Sequence, residues 1–304
     1  MPSHRTQKPA GPARRPRHLR LPCVPPGPLG ARRSWAAATL AAVVLAAGCT
    51  TTSNRQTTVQ ALNGILEGSQ RSEANRARDR YRHPQETLLF FGIRPEMRVL
   101  EVWPEPGWYT EVIAPLVRAK GKYYAGVIAP NPASRSISNS LETYRNKLAS
   151  RPDLYDRVAV VSFPTDGTDA LPPNSVDMVL TFRNIHNWLA RGEASKAFAT
   201  LYRALKPGGV LGVEEHRGVP GTPQDPLAKS GYVEEDYAVK LIEAQGFKLV
   251  AKSQVNANPR DTKDYEQGVW TLPPTYRLGD RDRDKYAAIG ESDRFTLKFV
   301  KVGR

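Results

Sequence analysis

Cysteine is nearly absent from this chain: 304 residues hold two, Cys23 and Cys49. Both precede residue 50, so the rest of the chain can have no disulfide framework and no Cys-ligated metal. Acid is missing from residues 1–48, which carry eight Lys/Arg and no Asp or Glu. Taking those eight from the formal charge of +14 leaves +6 on the remainder, a mild bias. That excess gives no ground for expecting a nucleic-acid partner. Histidine is scarce as well, with only His83, His186 and His216 beyond residue 48. No internal repeat is evident, which excludes a solenoid. Glycine is short where a nucleotide-binding loop would need it: VLEVWPEPGWYTEV, Val99 to Val112, keeps only Gly107.

The amino terminus reads as an export signal. A basic, Pro-rich lead ends in Arg32-Arg33, followed by thirteen uncharged residues, Trp35 to Ala47. That run is too short to span a bilayer comfortably and suits a signal h-region. It leads into AAGC, which resembles the lipobox of bacterial lipoproteins, where the cysteine is acylated and becomes the new N-terminus. A plain secretory signal cleaved nearby is the alternative, and either exports the protein. The expected organisation is therefore a signal peptide over 1–48, a polar tether over 49–70 and one domain over 71–304. On the lipoprotein reading, Cys49 anchors the chain to the membrane at the cell envelope.

The domain begins with RSEANRARDRY, Arg71 to Tyr81, whose arginines read as a solvated helix face, with contact to an anion as the alternative. A short helix closed by Gly92 follows. From residue 98 strand-like and helix-like segments alternate, the pattern of a parallel sheet covered on both faces. The strands are expected at 98–103, 122–129, 157–163, 175–182, 210–216, 247–253 and 294–302. Helices are expected at 108–119, with Pro115 inside, at 140–150 and after Glu193, where Ala194, Ala197, Phe198, Leu201 and Leu205 share one face.

In open α/β sheets ligands bind beyond the carboxyl ends of the strands. Glu101 and Gly107 lie after the first strand. Asp166 and Asp169 lie after the third, Arg183, Asn184, His186 and Trp188 after the fourth, and Glu215 and His216 end the fifth. His186, Glu215 and His216 are the residues expected to bind or deprotonate an acceptor; orienting the loops is the competing role. A metal held by the same three is a weaker alternative without motif spacing, and no metal is assigned. Trp103, Trp108, Tyr109 and Trp188 either wall a pocket or pack the core. The long polar segment Asn256 to Arg294 reads as a substrate-specificity element.

At these residues the chain resembles a family. LEVWPEPGWYT, LPPNSVDMVLTF and LYRALKPGGVLGVEEHR follow the motif order of class I S-adenosylmethionine-dependent methyltransferases. WPEPGWYTE, SGYVEEDY, NPRDTKDYEQGVWTLPP and IGESDRFTLKFVK are similar to a group of bacterial exported predicted methyltransferases. The resemblance implies a seven-stranded, Rossmann-like sheet, mostly parallel with an antiparallel last strand. It implies S-adenosylmethionine as cofactor and a small-molecule acceptor. Glu101 would meet the methionyl amino group, Gly107 would be the last glycine of the cofactor loop, and Asp166 would reach the adenine, with Asp169 as competitor. Trp103 and Asn184 complete the expected cofactor set. Asp177 matches a strand-four acid but reads as structural. Trp103 and Glu105 replace two glycines, Pro104 and Pro106 remove two N–H donors, and Ile128-Ala129 stand where the family has a ribose-binding acid. Asn131 is a candidate substitute. A cell-envelope binding protein on a degenerate scaffold is the alternative function, since the cofactor is made in the cytosol.

Overall fold

The computed structural model describes residues 55–129 and 134–303. The signal segment, Cys49 and Asn131 lie outside the described residues. Seven strands form one sheet: β1 (Arg98–Val102), β2 (Lys122–Val127), β3 (Ala159–Ser162), β4 (Val176–Phe182), β5 (Leu205–His216), β6 (Phe247–Ser253) and β7 (Arg294–Lys301). Their order is β3-β2-β1-β4-β5-β7-β6. Strands β1 to β5 run parallel, and β7 is antiparallel to both neighbours. The strand order reverses between β1 and β4, which puts the topological switch point where the opening loop leaves β1.

The apolar runs account for this layout. The central strands β1 and β4 are buried along almost their whole length, as strands covered on both faces must be. Edge strand β6 alternates exposed and half-buried residues after a buried Phe247. Each face carries its own core. One holds Trp188, Phe198, Leu201 and Leu211; the other holds Phe91, Val112, Ile113 and Leu180.

Several boundaries differ from the expected ones. The helix after the opening loop runs Thr110–Val117, because Trp108 and Tyr109 belong to the turn before it. Strand β3 is four residues long, having a partner on one side only. Strand β5 starts at Leu205, not Val210, and the register shifts between Val176 and Met178. The cause is the KPGG turn, where Pro207 has no N–H to pair and Gly208 sits at φ 73°.

The polar tether needs correction. Residues 55–66 are helical, and Leu62 is fully buried in the core beside Leu88 and Phe91. The solvated-face reading of the arginine segment is overturned at its key positions. Arg71 and Arg82 are buried, and only residues such as Arg76 and Arg80 face solvent. Among the described residues no helix is long and apolar enough to cross a membrane.

Candidate active site at the ends of the central strands

The opening loop holds its shape without the usual glycines. Trp103 continues the strand pairing, its N–H donating to the Gly126 carbonyl at 2.7 Å. It then turns the chain at φ 50°, a left-handed conformation that costs a bulky residue free energy. Gly107 closes the loop at φ 93°, and a Cβ there would lie 3.0–3.1 Å from the Lys147 and Tyr144 side chains. Arg183, at the end of β4, is left-handed too, at φ 60°. Strained backbone thus sits at the ends of both strands flanking the switch point.

Beneath the loop, Glu101 is buried and accepts a hydrogen bond from the Tyr123 hydroxyl at 2.6 Å. Thr110 links that hydroxyl to Tyr144, at 2.9 and 3.0 Å. Burial pushes the Glu101 carboxyl up to about 8; Glu105 adds to the rise, and the Tyr123 bond and Arg183 oppose it. Glu101 therefore carries a proton at neutral pH until a cation approaches. Glu105 is raised by burial as well, an effect opposed first by its own backbone N–H and then by that of Ile128. Its head is thus turned toward the end of β2, beside the position where the expected ribose acid is missing.

Three cavities meet these residues. The first, about 240 Å³, is bordered by Glu101, Trp103, Tyr109, Arg183 and Asn184. The second, about 340 Å³, lies beyond Trp103, between Ile128, Phe163, Asp166 and Arg191. Trp103 borders both, packed edge-on against Trp188 with ring centroids 5.8 Å apart and with the Arg191 guanidinium 5.1 Å from its ring. The third, about 180 Å³, shares Arg78, Arg82 and Arg183 with the first and adds His216, Trp270 and Ser292.

The expected site residues divide accordingly. Asn184 immediately precedes the helix Ile185–Ala190 without capping it through its side chain, and its amide donates to the Val102 carbonyl at 2.9 Å, clipping β4 to the end of β1. Asp166 is exposed, bordering the second cavity, and accepts from the Thr168 N–H at 2.8 Å. Its competitor Asp169 is paired with Arg203 at 2.6 Å. Asp177 is structural: it pairs with Lys206 at 2.6 Å and accepts from the Arg98 N–H at 2.8 Å.

His186, Glu215 and His216 do come together, with candidate ligand atoms within 4.8 Å of one another. The fully buried Glu215 carboxylate lies 3.0 Å from His186 Nδ1 and accepts from the His186 and His216 backbone N–H groups at 3.3 and 2.8 Å. Both its oxygens are thereby engaged, and its geometry is that of a residue that positions the two histidines. His216 borders the third cavity, with Nδ1 2.6 Å from Ser292 Oγ. Burial, followed by His186, Arg183, Arg294 and Arg82, drives its pKa well below the usual value, so the ring is neutral and a weaker base than an open imidazole, until an anion offsets those guanidiniums.

Of the aromatic group, Trp188 is fully buried core, and Tyr109 stacks on Phe182 at 3.8 Å. Trp108 lies between two guanidiniums, Arg71 at 5.0 Å and Arg82 at 4.9 Å. The sequence gives weak notice of Arg78, Arg82, Tyr123 and Glu291. The spacing of Arg78 and Arg82 by one helical turn was the available signal, but their partner Glu291 lies over two hundred residues away.

Residues 110–213 match the family model for a methyltransferase domain. The chain carries a class I methyltransferase fold. A S-adenosylmethionine-dependent methyltransferase from Aquifex aeolicus is 20% identical, with a TM-score of 0.50 over 74% of this chain and 93% of that one. The [4+2]-cyclase SpnF is 18% identical, with a TM-score of 0.49 over 73% and 81%. An N1-methyltransferase of 1,6-didemethyltoxoflavin from Burkholderia thailandensis, solved with S-adenosylhomocysteine, is 14% identical, with a TM-score of 0.45 over 74% and 78%. Among curated proteins, none matches the chain. The resemblance seen in the motifs thus holds at the level of domain and fold.

Proposed function

We propose that this methyltransferase transfers a methyl group from S-adenosylmethionine to a small-molecule acceptor, using the rebuilt loop of β1. The observation that carries the reading is the pair of cavities on either side of Trp103, with an acid in reach of each. Glu101 borders the first and Asp166 the second. The first cavity suits the methionyl end and the second the adenosine. Glu105, held toward Ile128, is the acid placed to receive the ribose hydroxyls in place of the missing one after β2.

The cofactor supplies an electrophilic methyl on a sulfonium. The chain's own residues supply the rest. Glu101, once ionised, pairs with an ammonium. Asn184 and the Glu101–Tyr123–Thr110–Tyr144 chain fix the floor of the cavity. His216, held through Nδ1 by Ser292, would accept the acceptor's proton at Nε2. Glu215 keeps both histidines in position, and His186 lies with its ring centroid 5.4 Å from that of His216. The Trp270 segment covers the acceptor side and sets specificity.

We place the protein in the cell envelope, exported by residues 1–48 and anchored through Cys49. The position of Trp103 between the two cavities favours one second reading, an envelope binding protein that takes a ligand in one cavity alone. Ultraviolet crosslinking of the full chain with methyl-labelled S-adenosylmethionine separates the two. Transferase function predicts labelling that excess S-adenosylhomocysteine suppresses. Labelling indifferent to that competitor, or none, would defeat the transferase reading.

A further inference from the structure

The third cavity, lined by Arg78, Arg82, Arg183 and Glu291, adjoins a group of charges that do not balance. Four guanidiniums converge on two carboxylates. Glu291 takes Arg78 at 2.6 Å, Arg82 at 3.1 Å and Arg294 at 3.2 Å. Glu214 takes Arg183 at 2.8 Å and Arg294 at 3.1 Å. The nearby acids do not redress this. Asp79 is committed to Arg71 at 2.5 Å and Glu111 to Lys147. Glu215 is used by the two histidines, and Glu101 is protonated at neutral pH because it is buried.

Two positive charges are therefore left over in a largely buried group, where unpaired charge is costly. Arg82 registers the excess: burial, then Arg183, lower it to about 9 despite Glu291. The cofactor does not relieve the imbalance. S-adenosylmethionine carries a sulfonium, an ammonium and a carboxylate, one net positive charge, which Glu101 offsets on ionising, so the two surplus guanidinium charges remain.

We propose that the cavity between Arg78, Arg82, Arg183 and Trp270 binds the methyl acceptor by an oxyanion group, a carboxylate or a phosphate. Guanidinium forks match the planar or tetrahedral oxygens of such groups. Arg78 and Arg183 are the members with side chains still partly open, at 24% and 20% exposure. His216 faces the same space, so an anchored acceptor would present its nucleophile beside a neutral base. The name acceptor rests on the methyltransferase reading; the anion site stands on its own geometry.

The test is the ³¹P line width of inorganic phosphate with the full chain at neutral pH, with and without saturating S-adenosylhomocysteine. The expected result is broadening that persists with S-adenosylhomocysteine bound and weakens about tenfold in apparent affinity in Arg78→Gln. If that variant does not fold, Arg78→Lys keeps the charge but loses the fork, and a drop of about threefold is expected. Added acetate then assigns the class: displacement indicates a carboxylate acceptor, and none a phosphate. Absence of broadening, equal broadening in the Arg78 variant, or loss of phosphate when S-adenosylhomocysteine binds would each overturn the proposal. Phosphate binding without S-adenosylhomocysteine binding would remove the cofactor reading and leave the anion site standing.

Discussion

Glu101 shows how one buried side chain ties stability to function. Its carboxyl is raised to about 8 in the fold by burial, against about 4.3 in an open chain. The folded protein therefore holds a proton that the unfolded chain gives up. Stability from this group is present below about pH 4.5, is lost as pH rises, and levels off above about pH 8. Glu101→Gln should abolish that slope and be more stable than the natural chain at about pH 8 by on the order of 5 kcal/mol, with little difference near pH 4.5. Urea unfolding at the two pH values checks this; equal differences at both would contradict it. The second residue-scale prediction compares two neighbouring acids. Asp166→Asn should weaken S-adenosylhomocysteine binding about tenfold, a charged hydrogen bond being at stake. Asp169→Asn should leave it unchanged, because that carboxylate is committed to Arg203. Equal losses in an equilibrium dialysis measurement would show that the wrong acid has been placed at the adenosine end. Neither distinction is legible in FPTDGTDALPP alone, where both acids have the same local surroundings. It takes the helix Ala194–Ala204, which carries Arg203, to separate them.

At the scale of elements, the strands were legible because burial on both faces writes a continuous apolar run into the sequence. The opening loop was legible by position, between β1 and a helix, although its chemistry had changed. What escaped was the role of segments whose partners are remote. The helix over 55–66 looks polar in sequence, yet Leu62 is fully buried. Leu62→Ala should therefore cost about 2–4 kcal/mol, read from chemical denaturation. A change below about 0.5 kcal/mol would restore the view of this segment as a tether. The arginine segment was misread for the same reason. A solvated face is the usual fate of such a run, and here it is overruled by Glu291 and Glu111, far along the chain. The polar insertion before β7 proved to be ordered, with Gly268–Thr271 as a single 3-10 turn and Arg283–Ile289 as a helix. It brings Trp270 within 6.0 Å of His186, ring centroid to centroid.

For the molecule as a whole, the fold positions the site and leaves its chemistry to the side chains there. A seven-stranded sheet with one antiparallel hairpin partner fixes where a ligand lies, but function belongs to the site built there. Placement in the cell makes a separate prediction. If Cys49 is acylated, a palmitate analogue should label the natural chain in bacterial cells and not Cys49→Ala; equal labelling would end the lipoprotein proposal. The central claim is that a loop carrying Trp103, Glu105 and two prolines still admits the cofactor. Isothermal calorimetry of the full chain with S-adenosylmethionine and S-adenosylhomocysteine tests it most directly. The predicted result is saturable binding of both, with S-adenosylmethionine tightening between about pH 6.5 and 8.5 as Glu101 ionises to receive the ammonium. No heat from either ligand at millimolar concentration would contradict the account.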